Sequence, residues 1–347
     1  MMPMIALRPG YQISRVIRGG WQLAGGHGPV DQAQTIADMT AFAEAGIVTF
    51  DCADIYTGVE DLIGAFRSDY ARSHGAEALA RVKVQTKCVP DLEDLPTLGR
   101  DYIRRIVETS LRRLRTEQLD LVQFHWWDYA VPRYLDALGW LDDLRREGKL
   151  ANIGGTNFDT QRTLEIIGAG IPLVSMQVQY SLIDARAERQ MVQAALDHDM
   201  HLFAFGSVAG GFISDRWLNQ PEPQGPLENR SLTKYKLIID DFGGWELFQT
   251  LLQTLRIIAD RHGTDIATIA SAAMLARPGV AAVIVGARNR NHLAQNIRIG
   301  SLTLTEQDHA EIAAVRGNIP DGDCYTLERD RTGRHGQIIK YNLNKAS

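Results

Sequence analysis

The sequence predicts an α/β protein, a (β/α)8 TIM barrel built as a single domain with a C-terminal helix and tail. Short β-branched runs alternate with helical patterns at intervals of roughly 25–35 residues, the rhythm of parallel strand–helix units. Reactive polar residues stand at the ends of three successive strands: Asp51 and Tyr56, then Lys87, then His125. Parallel barrels assemble their active sites at that end. The chain has 347 residues, and barrels of this class commonly run long as one domain. Residues 1–316 are assigned to the barrel and 317–347 to a C-terminal tail or arm.

Taken in order, 15–24 reads as a strand interrupted by Gly19 and Gly20. A helical pattern follows, with Asp31 as its cap and Gly46 as its stop. The next strand is 47–51, and its helix, about 59–73, gathers Leu62, Ile63 and Phe66 on one face. Strand 82–88 precedes a helix at about 99–116, where Tyr102, Ile103, Ile106, Val107, Leu111 and Leu114 repeat with a helical period. Strand 119–126 and helix 134–147 come next. Strands 152–158, 174–180 and 201–205 alternate with helices 159–168 and 187–197. The rhythm then breaks into a polar, Pro- and Gly-bearing connection, 206–242, long enough to suggest a binding loop or lid. Helices at about 245–262 and 265–276 lead to the eighth strand, 281–285, and a helix at 290–297. Thr305 caps one more helix beyond the barrel.

Composition narrows the function. The chain is 45% hydrophobic and 23% charged, enough to bury a sizeable core without staples. A net charge of −5 argues against a nucleic-acid surface. Cys52, Cys88 and Cys324 form no CxxC and no metal or disulfide framework, so a reducing, cytoplasmic setting is expected. No apolar run is long enough to span a membrane. The DHDMH run at 197–201 lies at the barrel face opposite the reactive residues, and no metal site is assigned.

The four strand-end residues suit one kind of chemistry. A tyrosine titrates near pH 10, too weak an acid to protonate an alkoxide readily. A lysine ammonium about 4 Å away would favour its phenolate by roughly 4 kcal/mol, about three pKa units, at an effective dielectric near 20. Asp51 would keep a buried Lys87 charged, and His125 would offer a donor to a carbonyl oxygen. Such a set is suited to protonating a carbonyl oxygen while another group attacks the carbon, a hydride being one candidate. No GxGxxG follows an early strand, so the hydride donor needs another cradle. Thr156, Asn157 and Gln177 offer amide and hydroxyl groups, and Phe205 an aromatic face. The glycine-bearing run 206–216 offers backbone N–H groups, and Arg288 and Arg290 stand at a helix start.

These segments resemble the aldo-keto reductase superfamily over roughly 10–316. The resemblance rests on GGWQLAGG at 19–26, FDCADIYTGVEDLIG at 50–64, QTK at 85–87 and LVQFHWWD at 121–128. It continues through GGTNF at 154–158, MQVQYSL at 176–182, AFGSVAGGF at 204–212 and VGARNRNHLAQN at 285–296. The long connection after the seventh strand is most similar to the bacterial and channel-subunit-like branches. The resemblance implies that the chain reduces aldehydes and ketones to alcohols, or the reverse, with a nicotinamide cofactor. Tyr56 would be the general acid, Lys87 and Asp51 would tune it, and His125 would orient the carbonyl. Thr156, Asn157 and Gln177 would hold the carboxamide and Phe205 would stack on the nicotinamide ring. Gly206, Ser207, Val208, Gly210 and Arg216 would wrap the pyrophosphate. Gly286, Ala287, Arg288, His292, Gln295 and Asn296 would meet the adenosine end, with Gly20, Trp21 and Asp51 as further cofactor contacts.

Gly286 and Ala287 stand where many NADP-linked members carry a lysine–serine pair, yet Arg288 remains for a 2′-phosphate. NADP(H) is therefore the expected cofactor, with NAD(H) as the alternative. The substrate is expected to be a small carbonyl compound or alcohol bound by Trp21, Tyr56, His125 and Trp126, with Trp127, Tyr129 and Trp217 nearby. Asp128 either addresses a polar group of the substrate or caps the next helix. Two other readings compete. One is a regulatory subunit that binds cofactor with little turnover, and the other a Schiff-base aldolase using Lys87. The oligomeric state is left open by the sequence.

Overall fold

The computed structural model describes residues 2–25 and 28–344. It opens with an antiparallel hairpin, β1 (Met4–Arg8) and β2 (Tyr11–Ser14), which the sequence reading did not anticipate. Leu7, Tyr11 and Ile13 of the hairpin pack on Ile17, Leu121, Val174, Phe203 and Ala282 of the barrel strands. The hairpin thus plugs the N-terminal end of the barrel. Its short strands and the Pro9–Gly10 turn hide the signal, because Arg15 continues directly into the next strand.

The chain then runs β3 (Val16–Gly19), α1 (Gln32–Glu44), β4 (Thr49–Asp51), α2 (Val59–Arg81), β5 (Lys83–Cys88) and α3 (Arg100–Leu114). It continues β6 (Leu119–Phe124), α4 (Tyr134–Arg146), β7 (Leu150–Thr156), α5 (Thr160–Gly168), β8 (Leu173–Gln179), α6 (Met191–Asp197) and β9 (His201–Phe205). After α7 (Arg230–Phe242), α8 (Trp245–His262) and α9 (Ile266–Leu275), β10 (Val280–Gly286) closes the ring. The order β10-β3-β4-β5-β6-β7-β8-β9 is a closed parallel barrel, as the sequence rhythm predicts. The expected caps are in place: the Asp31 carboxylate accepts from the Gln34 N–H, and Gly46 takes a left-handed φ of 90°. Beyond the barrel come α10 (Leu293–Ser301), α11 (Glu306–Ala314) and a single turn, α12 (Thr326–Arg329). Thr305 and Asp308 form a reciprocal capping box on α11.

Three boundaries differ in instructive ways. The first barrel strand ends at Gly19, short of the expected 24, and at Gly20 a Cβ would meet Asp51 O at 2.9 Å and Val59 Cγ1 at 2.8 Å. The helix after β4 runs eight residues beyond its expected end at 73, with a break at Gly75. The long connection is not irregular throughout. Its last third is α7, capped by Asn229 and buried through Leu232, Tyr235, Ile238, Ile239 and Phe242. That spacing is helical, but the prolines and glycine at 221–226 mask it.

The tail packs across the C-terminal face of the barrel. Arg186, in the loop after β8, donates to both carboxylate oxygens of Glu328 in α12 at 2.8 Å and to Asp184 at 2.7 and 2.9 Å. All three are fully buried. Further along, Arg329 pairs with Asp159 at 2.6 Å and Arg331 with Asp128 at 2.8 Å. His335 meets Asp241 of α7 at 2.7 Å, and Asn344 donates to Val89 O at 2.7 Å. Removing one partner of a buried ionic cluster strands the others, at about 3–5 kcal/mol. Arg186→Met should therefore lower stability by about that amount in urea unfolding; a loss comparable with that of a surface pair would show that the cluster does not hold the tail.

Candidate active site

Asp51 closes β4, Lys87 stands one residue before the end of β5, and His125 follows β6 directly. Strand alternation turns their side chains to the inside of the mouth together with Gln123. Lys87 Nζ donates to Asp51 Oδ2 at 2.7 Å and to Cys52 O at 2.8 Å. The other Asp51 oxygen accepts from Gln123 Nε2 at 3.0 Å and from Gln177 Nε2 at 2.7 Å. The ammonium lies 5.1 Å from the centre of the Tyr56 ring, and the Trp21 ring packs edge-on against Tyr56 at 5.1 Å. Acid and amine are therefore one buried pair, with the half-buried phenol packed against it. Gln123 was not singled out in the sequence, although it lies two residues before His125 on the same face.

The charge balance is specific. Burial works against the Lys87 charge, but Asp51 and Tyr56 outweigh it and hold the ammonium above its ordinary value. For Tyr56, burial pushes the phenol up and the Lys87 charge pulls it back only in part, so the net shift is upward. The Lys87 charge acts in the expected direction, but burial of the phenol outweighs it.

His125 is enclosed by rings. Trp127 meets it edge-on at 4.3 Å, Tyr325 at 5.3 Å and Phe158 at 6.4 Å. Its Nδ1 lies 3.0 Å from Thr156 O, and burial lowers its pKa to about 4. Trp126, expected to touch substrate, is on the other side. It is fully buried, and its indole N–H donates to Asp128 O at 2.9 Å and Val131 O at 3.0 Å. Alternation makes the residue after His125 face the helices, and Trp127 takes the place next to the imidazole. Trp217 also belongs elsewhere, packed on Phe212 at 4.8 Å and Trp245 at 5.8 Å. Tyr129 stacks on Phe158 at 6.0 Å, and Asp128 holds the tail's Arg331. Tyr325 enters from the tail with a left-handed φ of 61°, and nothing in the local sequence announced it.

The candidate cofactor residues fall into three groups. At the strand exits, Thr156 spends its carbonyl on His125, Asn157 has a φ of 59° and donates its N–H to Gln177 O at 3.0 Å, and Gln177 spends its amide N–H on Asp51 and Gln123. On the β9 side, Phe205 carries the Lys234 ammonium 5.0 Å from its ring centre. Gly206 and Gly210 have left-handed φ values of 78° and 64°, and Tyr235 of α7 packs against both, so a Cβ at either would collide with its ring. The Ser207 hydroxyl pairs with Ser271 at 3.0 Å in the core rather than facing the mouth. Val208 accepts from the Gly211 and Ile213 N–H groups, and Arg216 is exposed and pairs with Glu228 at 3.3 Å. These two therefore turn to their own loop.

At the β10 side, Gly286 lies against the Gln22 amide, and Ala287 O accepts from Arg18 Nε at 3.2 Å. Arg288 donates to Pro29 O at 2.7 Å, and His292 is exposed. Gln295 Oε1 and Asn296 Nδ2 are buried with no partner among the described residues.

The aldo/keto reductase family model matches residues 15–316. The chain belongs to this family. It is similar to the aldo-keto reductase YhdN of Bacillus subtilis strain 168, 25% identical over 316 residues that cover 89% of this chain and 92% of that protein. An NADH-specific methylglyoxal reductase of Escherichia coli K12 is 23% identical over 85% of this chain and 92% of its own. The glycerol dehydrogenase AKR11B4 of Gluconobacter oxydans superposes with a TM-score of 0.74 at 21% identity, over 91% of this chain and 94% of that one, and so shares the fold. The chain is accordingly an oxidoreductase of the aldo-keto reductase type.

The neutral imidazole has a stability signature. Its pKa is about 4 in the folded state and about 6.5 in an unfolded chain. Between these values the unfolded state binds a proton that the folded state refuses, so stability falls as pH drops. Between pH 7 and 4.5 the wild type should lose about 2–3 kcal/mol more than His125→Gln in urea unfolding; equal losses would contradict a buried neutral His125.

Proposed function

We propose that the chain reduces small aldehydes and ketones with NADP(H), or runs the reverse oxidation, with Tyr56 as the proton donor. The observation that carries this is the Lys87 ammonium, fixed by Asp51 at 2.7 Å and Cys52 O at 2.8 Å beside the Tyr56 ring. A cation locked there favours negative charge on the phenol oxygen as its proton leaves for the carbonyl oxygen. Asp51 keeps that cation in place and ionised, and Gln123 and Gln177 keep Asp51 in place. Trp21 packs edge-on against Tyr56, and Trp127 against His125.

The nicotinamide, when bound, supplies the hydride. Phe205, Asn157 and Gln177 would hold its ring end, with the Gly206–Gly210 turn along the middle and Arg288, Gln295 and Asn296 at the adenosine end. Arg288 and the nearby Arg290 favour a 2′-phosphate, which supports NADP(H). NAD(H) is the second reading, favoured by Gly286 and Ala287, whose side chains offer no phosphate ligand, and by the tie of Arg288 to Pro29 O. A Schiff-base role for Lys87 fits poorly, because a nucleophilic amine must be neutral and Asp51 holds this one charged. A reducing compartment belongs to the same proposal, since Cys52, Cys88 and Cys324 are free and buried.

Tyr56→Phe should cut kcat for carbonyl reduction about 10²–10⁴-fold while leaving cofactor binding within a few-fold. Reduction at near wild-type rates would remove Tyr56 from the role. Cofactor choice is read by quenching of tryptophan fluorescence on titration with NADPH and NADH in parallel. The expected result is tighter NADPH binding that Arg288→Ala abolishes; an NADH preference would establish the second reading.

A further inference from the structure

A second cavity lies away from the Lys87–Asp51 pair, where the loop after β6, helix α5 and the tail meet. Its volume is about 410 Å³, inside the roughly 300–1,000 Å³ of small-molecule sites. Arg162 of α5 lines it together with Arg329 and Arg331 of the tail. Among the described residues, Asp128 is the only carboxylate on that wall. Three guanidiniums therefore face the space against one acid.

These guanidiniums are held in place. Arg329 Cζ lies 4.3 Å and Arg162 Cζ 5.3 Å from the centre of the Tyr129 ring, which is itself stacked on Phe158. Arg329 gives an N–H to Asp159 at 2.6 Å, Arg331 one to Asp128 at 2.8 Å, and Arg162 one to Glu165. A guanidinium has five N–H donors, so each keeps donors beyond that bond. Asp159 and Glu165 are not part of the cavity wall. The side chains of Arg162, Arg329 and Arg331 stay 26%, 28% and 46% exposed, so a solute can reach them.

An ammonium would meet like charge in this space, and an apolar molecule would cut the N–H groups off from water. An oxyanion meets both requirements. Phosphate brings up to two negative charges and three acceptor oxygens near pH 7, and the planar forks of arginine match it bidentately. We propose that this cavity binds a phosphate group, which bridges Arg329 and Arg331 of the tail to Arg162 of the barrel. Trp127 lines the cavity and also packs edge-on against His125 at 4.3 Å, so the site borders the mouth. The same chemistry serves a phosphorylated carbonyl substrate and free phosphate.

The test is equilibrium dialysis of the full-length protein against ³²P-labelled inorganic phosphate, with Arg162→Gln, Arg331→Gln and Asp128→Asn beside the wild type. Each arginine change should weaken binding about tenfold, the weight of a hydrogen bond to a charged group. Asp128→Asn removes a negative charge about 4 Å from the phosphate and should tighten binding about fivefold. If these residues serve only to tie the tail down, Asp128→Asn loosens the wall and weakens binding instead, which overturns the proposal. Absence of binding overturns it too, as does binding that neither arginine change alters. The source of the phosphate is read from KM for glyceraldehyde and glyceraldehyde 3-phosphate with NADPH. A rise confined to the phosphorylated aldehyde in Arg331→Gln assigns the site to the substrate, and KM values that move together assign it to free phosphate. Dialysis needs no turnover, so a failure of the oxidoreductase reading would appear in the second assay alone.

Discussion

The pairing of Lys87 with Asp51 is the interaction on which the rest of the mouth depends. Two opposite charges at 2.7 Å, both almost wholly buried, cost several kcal/mol each in desolvation before their attraction repays it. Hydrogen bonds from the surrounding groups add to that attraction. Cys52 O takes a second Lys87 hydrogen, while Gln123 and Gln177 serve the free Asp51 oxygen. These contacts draw β4, β5, β6 and β8 to one point. The barrel brings them there by strand register alone, so the site is held by rigid elements rather than by loops.

Around that rigid centre, the walls come from chain segments outside the regular barrel. Helix α7 lays Tyr235 against Gly206 and Gly210 and Lys234 over Phe205. The tail sends Tyr325 to His125 and Tyr341 to Trp127, whose rings lie 5.0 Å apart. Both are anchored by charge: Glu328 on Arg186, and His335 and Arg334 on Asp241. The helix and the tail also hold each other through Asp241. A dinucleotide running along the Gly206–Gly210 turn would share that surface with Tyr235, so binding should be sensitive to how firmly α7 sits. The rings of Trp127, Phe158 and Tyr325 pack around His125 on three sides.

Much of this could be read from the amino-acid sequence because barrel strands carry their own signature. Thr49–Asp51, Lys83–Cys88 and Leu119–Phe124 are short, β-branched or aromatic, and followed at once by the reactive residues. Asp51, Tyr56 and Lys87 were placed by that logic and come together, and His125 stands at the exit of the neighbouring strand β6. What escaped depended on long-range packing. The choice between Trp126 and Trp127 is a matter of one-residue alternation at a strand end, where the strand stops at Phe124 and the parity has to be counted from His125. The Ser207 hydroxyl pairs across the core with Ser271, a partner distant in sequence. The tail read as a charged segment because its charges are partners of Asp128, Asp159 and Arg186, distant in sequence.

The central claim is that Lys87 and Asp51 act as one unit on Tyr56. A double-mutant cycle on kcat for carbonyl reduction, with Lys87→Met, Asp51→Asn and the pair, tests it most directly. If the two residues form one device, either single change should cost nearly as much as both together, as groups that act as a unit are grossly non-additive. Costs that simply add would contradict the account, since each residue would then be serving the reaction by a separate route.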